Sequence, residues 1–446
     1  MDGSGAANWL GELDHPSPGF FAAFAALAVE PGGPEAAARE AVLRLTPAVD
    51  WAAYLPHIPH GLLGLWGVFR LRPLLREASF QRILATQLHA FAHEGRSPES
   101  RSLGAIGRGS GNWGNLRMAL GQHRPAIAWG EARAVDPVRR EHFLLLESAA
   151  ERDMANVGHK PVLARMLADL FRALGAPQEA GRSMLALAAW QCASEPFDTF
   201  WHDRACRRLE AAAAVPSRSP ILGADAHRAH AREICDAGLV DLLDRFSARV
   251  RDGGGSGDLL AALALAAAEK QLDARRDLEG KTSWTFVHLA ALAGRAAEAG
   301  DSAPAAWVQA GALVNLFPTG EEEDRPRTAP PRNPPPDLAA GLLDAILDGE
   351  PEPAMALAQA LLDRDGPEPA LRTLAEAAAA NDPAFNHSHQ VLAAAAAADL
   401  LPMLPRHARD AVVVALAKSL ANGQGSSDLG RLADAALRKA GAGTRG

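Results

Sequence analysis

The chain has 446 residues, 48% of them hydrophobic and 22% charged, with a formal charge of −8. This composition excludes gross disorder, and an acidic excess without a basic stripe excludes a phosphate-backbone partner, so no nucleic acid is expected. No apolar run approaches the ~20 residues that span a bilayer, and the first twenty residues lack the basic-then-apolar order of a signal peptide, so no membrane partner is expected.

Cys192, Cys206 and Cys235 follow no metal-type spacing. They read as reduced thiols, and the expected compartment is the cytoplasm. Oligomeric state is not legible. One tyrosine stands beside nine tryptophans, and alanine dominates the second half of the chain. Alanine is the best helix former, β-branched residues are sparse, and no Asn-Gly hairpin signal occurs. The expected fold class is all-α: helix pairs around a central pocket.

Breakers divide the helical segments. A first pair is expected over Pro18–Val49. The stretch Tyr54-Leu-Pro-His57-Ile-Pro-His60 opens a helix through Leu75, and another runs over Glu77–His93. A Gly-rich loop, Gly104–Gly114, precedes helices at Pro137–Ala155, Pro161–Leu174, Gln178–Ala193 and Asp198–Ala214. Further helices are expected at Ala224–Arg251, Asp258–Leu278, Ser283–Gly300 and Pro304–Leu316. In Glu321–Asp337, four acids lead into six prolines, which cannot form a helix. The segment is expected to be a loop or linker between a main part, residues 1–320, and a C-terminal helical part, residues 338–446. No fixed repeat period is found.

What recurs is a histidine near a helix start, followed by an apolar run. It occurs at His60, His159, His288 and the pair His387/His389. The first turn of a helix carries partial positive charge, which disfavours imidazolium, and neutral imidazole is the form that binds metal. His159 shares its face with Val162, Leu163, Met166 and Leu170, a core face. His60 shares its face with Leu63, Gly64, Gly67 and Leu71, and the glycines leave room for another backbone or a ligand. On one helix His387 and His389 point about 200° apart, so only one can face a common centre. The spacing does not select between them. A lone histidine on an apolar face is more often a hydrogen-bonded core residue than a ligand, and that reading stands beside the metal one.

Weaker candidates surround these. His57, in an extended lead-in, could reach the same centre as His60. His202 follows Phe200 and Trp201 and either lines a pocket or packs. Lys281 precedes His288 by seven residues, roughly 10 Å if helical, and could join the site only from a non-helical lead-in. His89 and His93, beside Glu94, and His227, His230 and Glu233 have clip-like spacing but read as solvated faces. The loop Gly109–Gly114 matches G-x-G-x-x-G without a preceding strand, so dinucleotide geometry cannot form. It reads as a connector or an active-site loop carrying Trp113.

Three of these stretches resemble the questin oxidase-like proteins: His60-Gly-Leu-Leu-Gly-Leu-Trp-Gly-Val-Phe-Arg70, and the segments opened by His288 and His389, the latter ending at Leu401-Pro402. The likeness covers about a third of the chain. It departs where Tyr54-Leu-Pro-His57 stands for the family's Asn-His-Leu-Pro-type segment, and where Gln390 stands for a lysine. The resemblance implies a non-haem iron oxygenase that uses Fe(II) and O2 on a polycyclic aromatic small molecule of the anthraquinone type. A reductant such as NADPH is left open. On this reading His60, His159, His288 and one of His387/His389 are ligands. His57 and Lys281 are placed nearest the chemistry, and Trp66, Trp113, Trp284 and His202 in the pocket wall. Two rival readings remain: a non-catalytic helical interaction module, which expects scattered histidines, and a cofactorless oxidase with His57 or His60 as general base.

Overall fold

Alanine-rich amphipathic segments, several with proline in the first turn where its missing N–H is harmless, dictate a chain of helices. The computed structural model describes residues 3–46, 60–94, 107, 109–151, 153, 158–194, 214–251, 255–273, 283–316, 335–381, 383, 388–425 and 428–443. They form 21 α-helices. The first ten are α1 (Gly3–Asp14), α2 (Phe20–Ala28), α3 (Gly33–Leu45), α4 (His60–Leu71), α5 (Glu77–His93), α6 (Trp113–Gly121), α7 (Pro125–Arg133), α8 (Arg140–Ala150), α9 (His159–Leu174) and α10 (Gln178–Ala193). The next five are α11 (Ala224–Asp236), α12 (Leu239–Arg251), α13 (Ser256–Asp273), α14 (Trp284–Ala299) and α15 (Pro304–Leu316). The last six are α16 (Leu338–Leu347), α17 (Pro351–Asp365), α18 (Pro367–Ala380), α19 (His389–Leu400), α20 (Arg406–Asn422) and α21 (Asp428–Gly443). The strands among the described residues, β1 (Val215–Pro216) and β2 (Asp301–Ser302), form one short antiparallel pair. The fold is all-α.

Several elements differ from the sequence reading: α1, α6 and α7 were not expected, the single helix expected over Ala224–Arg251 is two, α11 and α12, and several helix starts shift. Helix α8 begins at Arg140, not Pro137, because Val138 N–H donates to the Gln178 side chain and Arg139 stays extended. Helix α9 begins at His159, two residues before Pro161, which occupies the first turn. The expected helix over Asp198–Ala214 and most of the Glu321–Asp337 segment lie outside the described residues. At its end, Asp337 caps α16 by accepting from Ala340 N–H at 3.0 Å.

One hydrophobic cluster runs from Trp9 to Ala433. Helices beyond the acidic, proline-rich segment share it: α20 packs on α13, and α21 on α2 and α5. At the centre, four helices distant in sequence close a ring. Helix α4 packs against α9 and α19, and α14 packs against the same two. Gly67 makes the α4–α19 contact possible, since a Cβ there would lie 3.0 Å from Val391 Cγ1 and 3.3 Å from its carbonyl oxygen. The room left by this glycine is taken by another helix's backbone. No described helix is long and apolar enough to cross a membrane.

Candidate metal centre

Three of the four ring helices begin with histidine and the fourth with tryptophan: His60, His159, His389 and Trp284. All four first residues meet at one end of the ring. His60 Nε2 and His389 Nε2 are 3.1 Å apart. One ring nitrogen from each of His60, His159 and His389 lies within 4.8 Å of the others. Trp284 stacks on His159 with ring centroids 3.7 Å apart and planes 10° apart, and its ring lies 6.3 Å from His60 and 6.0 Å from His389. His159 and His389 are buried and His60 is half-buried, so the cluster is reached from the His60 side.

Backbone conformation aims two of the rings. Gly158 and Ser388, the residues just before His159 and His389, both adopt left-handed conformations, with φ of +69° and +64°. Glycine accepts this freely and serine does not. Ser388 is held there by its hydroxyl, which donates to Gln87 Oε1 at 2.9 Å. Gln87 also donates to the Gly61 carbonyl at 2.8 Å. One fully buried amide of α5 thus ties the start of α4 to the start of α19. Gly64 makes its space, as a Cβ there would lie 2.4 Å from the amide. Glu94, at the end of α5, accepts from Gly61 N–H at 2.7 Å. Burial pushes the Glu94 carboxyl up to about 8, against the pull of the Gly61 and His60 N–H groups.

The donor set suits a transition metal. Imidazole–metal bonds of about 2.1 Å place ligand nitrogens roughly 3.0–3.4 Å apart, so the His60–His389 pair is already in range and the His159 ring swings by roughly 1.5 Å at most. Three helix N-termini favour the neutral, metal-binding form of each ring. Three ligands leave coordination positions for other molecules.

The remaining expected site residues fall elsewhere. His288 is not part of the cluster. It is the fifth residue of α14, about 6 Å along the axis from Trp284. Its Nε2 is 3.0 Å from Gln309 Oε1. Gln309 Nε2 already donates to the Ala150 and Asp153 carbonyls, so its Oε1 accepts and His288 Nε2 carries the proton. Burial pulls His288 down to about 4. Its ring abuts Gly158, where a Cβ would lie 2.9 Å from His288 Cδ2. His288 therefore supports the turn that aims His159.

Of the expected pocket residues, Trp284 stands in the cluster. Trp66 is buried and lines a cavity of about 460 Å3 with Arg70, Met166, Gly294 and Asp399. Six residues past His60, it sits about 9 Å farther along α4. Trp113 opens α6, is exposed, and packs on His142 with centroids 4.3 Å apart; it makes no described ring contact with the cluster. The loop before it wraps Glu131, whose Oε2 accepts from Ser110 and Asn112 N–H at 3.0 Å each. It is a connector around a buried carboxylate. His57, His202, Lys281 and His387 lie outside the described residues. Gln390 takes the Leu420 carbonyl and anchors α19 to α20.

Two surface readings are corrected. His89 is half-buried, stacked on Phe21 and edge-on to Phe20, and burial lowers it to about 4. His227 is wholly buried. The sequence reading missed Gln87, and it read Glu94 only as part of a solvated face, not as a support for the start of α4. Nothing local marks them among the other polar residues of α5, and their partners lie 26 and 33 residues away.

No family model, curated protein or solved structure matches the chain.

Proposed function

We propose that the chain is a metalloenzyme in which His60, His159 and His389 hold a divalent transition metal, and that it is an iron-dependent oxygenase acting on a flat aromatic small molecule. The convergence of three helix-initial histidines beside Trp284 carries this reading. Iron bound there would supply the activation of O2. The chain's own residues do the rest. Gly158, Ser388, Gln87 and Glu94 fix the helix starts that aim the ligands. Trp284, buried and stacked on His159, holds the plane of that ring. The aromatic, anthraquinone-like substrate comes from the questin oxidase-like resemblance at His60–Arg70, His288 and His389.

A non-catalytic interaction module would leave its histidines scattered, and the gathering of three disfavours it. Elemental analysis after anaerobic Fe(II) loading tests the proposal. Near-stoichiometric iron in the wild type, lost in His159→Ala and in His389→Ala, is expected, while His288→Asn, which alters only the support of the Gly158 turn, should weaken iron binding without abolishing it. Wild-type protein that takes up no transition metal would sink the metal reading. O2 consumption with polycyclic phenols, with and without NADPH, then tests substrate class and the need for a reductant.

A further inference from the structure

A second histidine cluster lies apart from the three-histidine centre and is built on different helices. His227 of α11 is fully buried. Its Nε2 is 2.9 Å from Asp258 Oδ1, in the first turn of α13, and its Nδ1 is 3.0 Å from His407 Nε2, in the first turn of α20. Asp258 Oδ1 also accepts the Ile221 and Leu222 N–H groups at 2.9 Å each. That oxygen takes three donors, so His227 Nε2 carries the proton. The Nδ1 lone pair of a neutral His227 therefore points at His407, and His407 Nε2–H donates to it.

We propose that His227 Nδ1 and His407 Nε2 form a second divalent-metal site, for zinc or a similar borderline ion, that clips α11 and α13 to α20. A metal-ligating histidine characteristically gives its other ring N–H to a carboxylate, which fixes the tautomer and raises ligand basicity. Asp258 does this for His227. Two nitrogens on a tetrahedral zinc stand about 3.3 Å apart, so the 3.0 Å pair opens by a few tenths of an ångström and the half-exposed His407 ring turns until both lone pairs converge on the ion beside the N···N line. The proton now on His407 Nε2 moves to Nδ1 of the same ring through solvent, so a neutral pair binds the ion without net proton release. His407 is half-exposed while His227 is sealed, so the ion arrives from the His407 side and water fills its remaining positions. The same N···N approach, 3.1 Å, occurs between His60 and His389.

Zn(II) titration of the metal-stripped full chain against a chromophoric chelator tests this. Two equivalents are expected in the wild type. His407→Ala loses one, His159→Ala loses the other, and Asp258→Asn weakens the His407-dependent site roughly 10–100-fold while keeping both ligands. His407→Gln, which preserves side-chain bulk, guards against a folding artefact. One equivalent that persists in His159→Ala and vanishes in His407→Ala would support this site while sinking the three-histidine reading. Identical Zn(II) stoichiometry and affinity in wild type and both His407 variants would overturn the proposal.

Discussion

Gly64→Ala puts the architecture of the centre to a test in which two effects of opposite sign compete. In the interior of an isolated helix, glycine to alanine stabilises by about 1 kcal/mol. In this ring the new Cβ would stand 2.4 Å from the Cδ, Nε2 and Oε1 atoms of Gln87. Ordinary contact needs about 3.5 Å or more, so the Gln87 amide must leave. Its departure breaks the bonds to the Gly61 carbonyl and from the Ser388 hydroxyl, at 2.8 and 2.9 Å. Each bond contributes about 0.5–1.5 kcal/mol, and an orphaned buried partner adds about 1–3 kcal/mol. After the propensity gain is subtracted, a net loss of about 1–5 kcal/mol is expected. Urea unfolding of the metal-free protein reads this as a lower midpoint with unchanged slope. The starts of α4 and α19 also lose their shared tie, so Co(II) affinity should fall in the folded variant. A variant about 1 kcal/mol more stable than wild type, with Co(II) binding intact, would refute the reasoning, because it would mean that α5 does not press on α4 at this glycine.

Three other outcomes are expected. His288 titrates near 6.5 when unfolded and near 4 when folded, so its contribution is complete above 6.5 and is lost as pH falls toward 4. At about 1.4 kcal/mol per pH unit this is roughly 3 kcal/mol, and His288→Asn should flatten that acid limb in pH-dependent urea unfolding. Burial pushes the Cys192 and Cys235 thiols up to about 12. Both should therefore resist iodoacetamide at pH 8 in the native protein and react after denaturation; a native-state adduct on Cys192, seen by peptide mapping, would contradict its burial. Finally, Cu(II) loading should quench tryptophan fluorescence, and Trp284→Phe should remove the largest share of that quench among the nine tryptophans. An unchanged quench would place the metal elsewhere.

The all-α class was legible because alanine content and proline or glycine breakers act locally, residue by residue. So was the placement of His60, His159 and the His387/His389 pair near helix starts, since apolar periodicity after each histidine marks where a helix begins; that His159 and His389 are themselves the first residues was not. The sequence also favoured neutral imidazoles there, because the helix dipole belongs to the element itself. Which histidines meet was decided only by tertiary structure. Residues 60, 159, 284 and 389 become neighbours because four remote helices close a ring, and no local signal carries that closure. His288 shows the difference. It shares the sequence pattern of the others, but it stands about one turn inside α14, and Trp284 holds the helix-initial place at the centre. The Gln309 that fixes its tautomer comes from α15, and the Gln87 and Glu94 that hold the start of α4 come from α5. Buried polar groups choose partners by packing distance, which the linear order of residues does not contain.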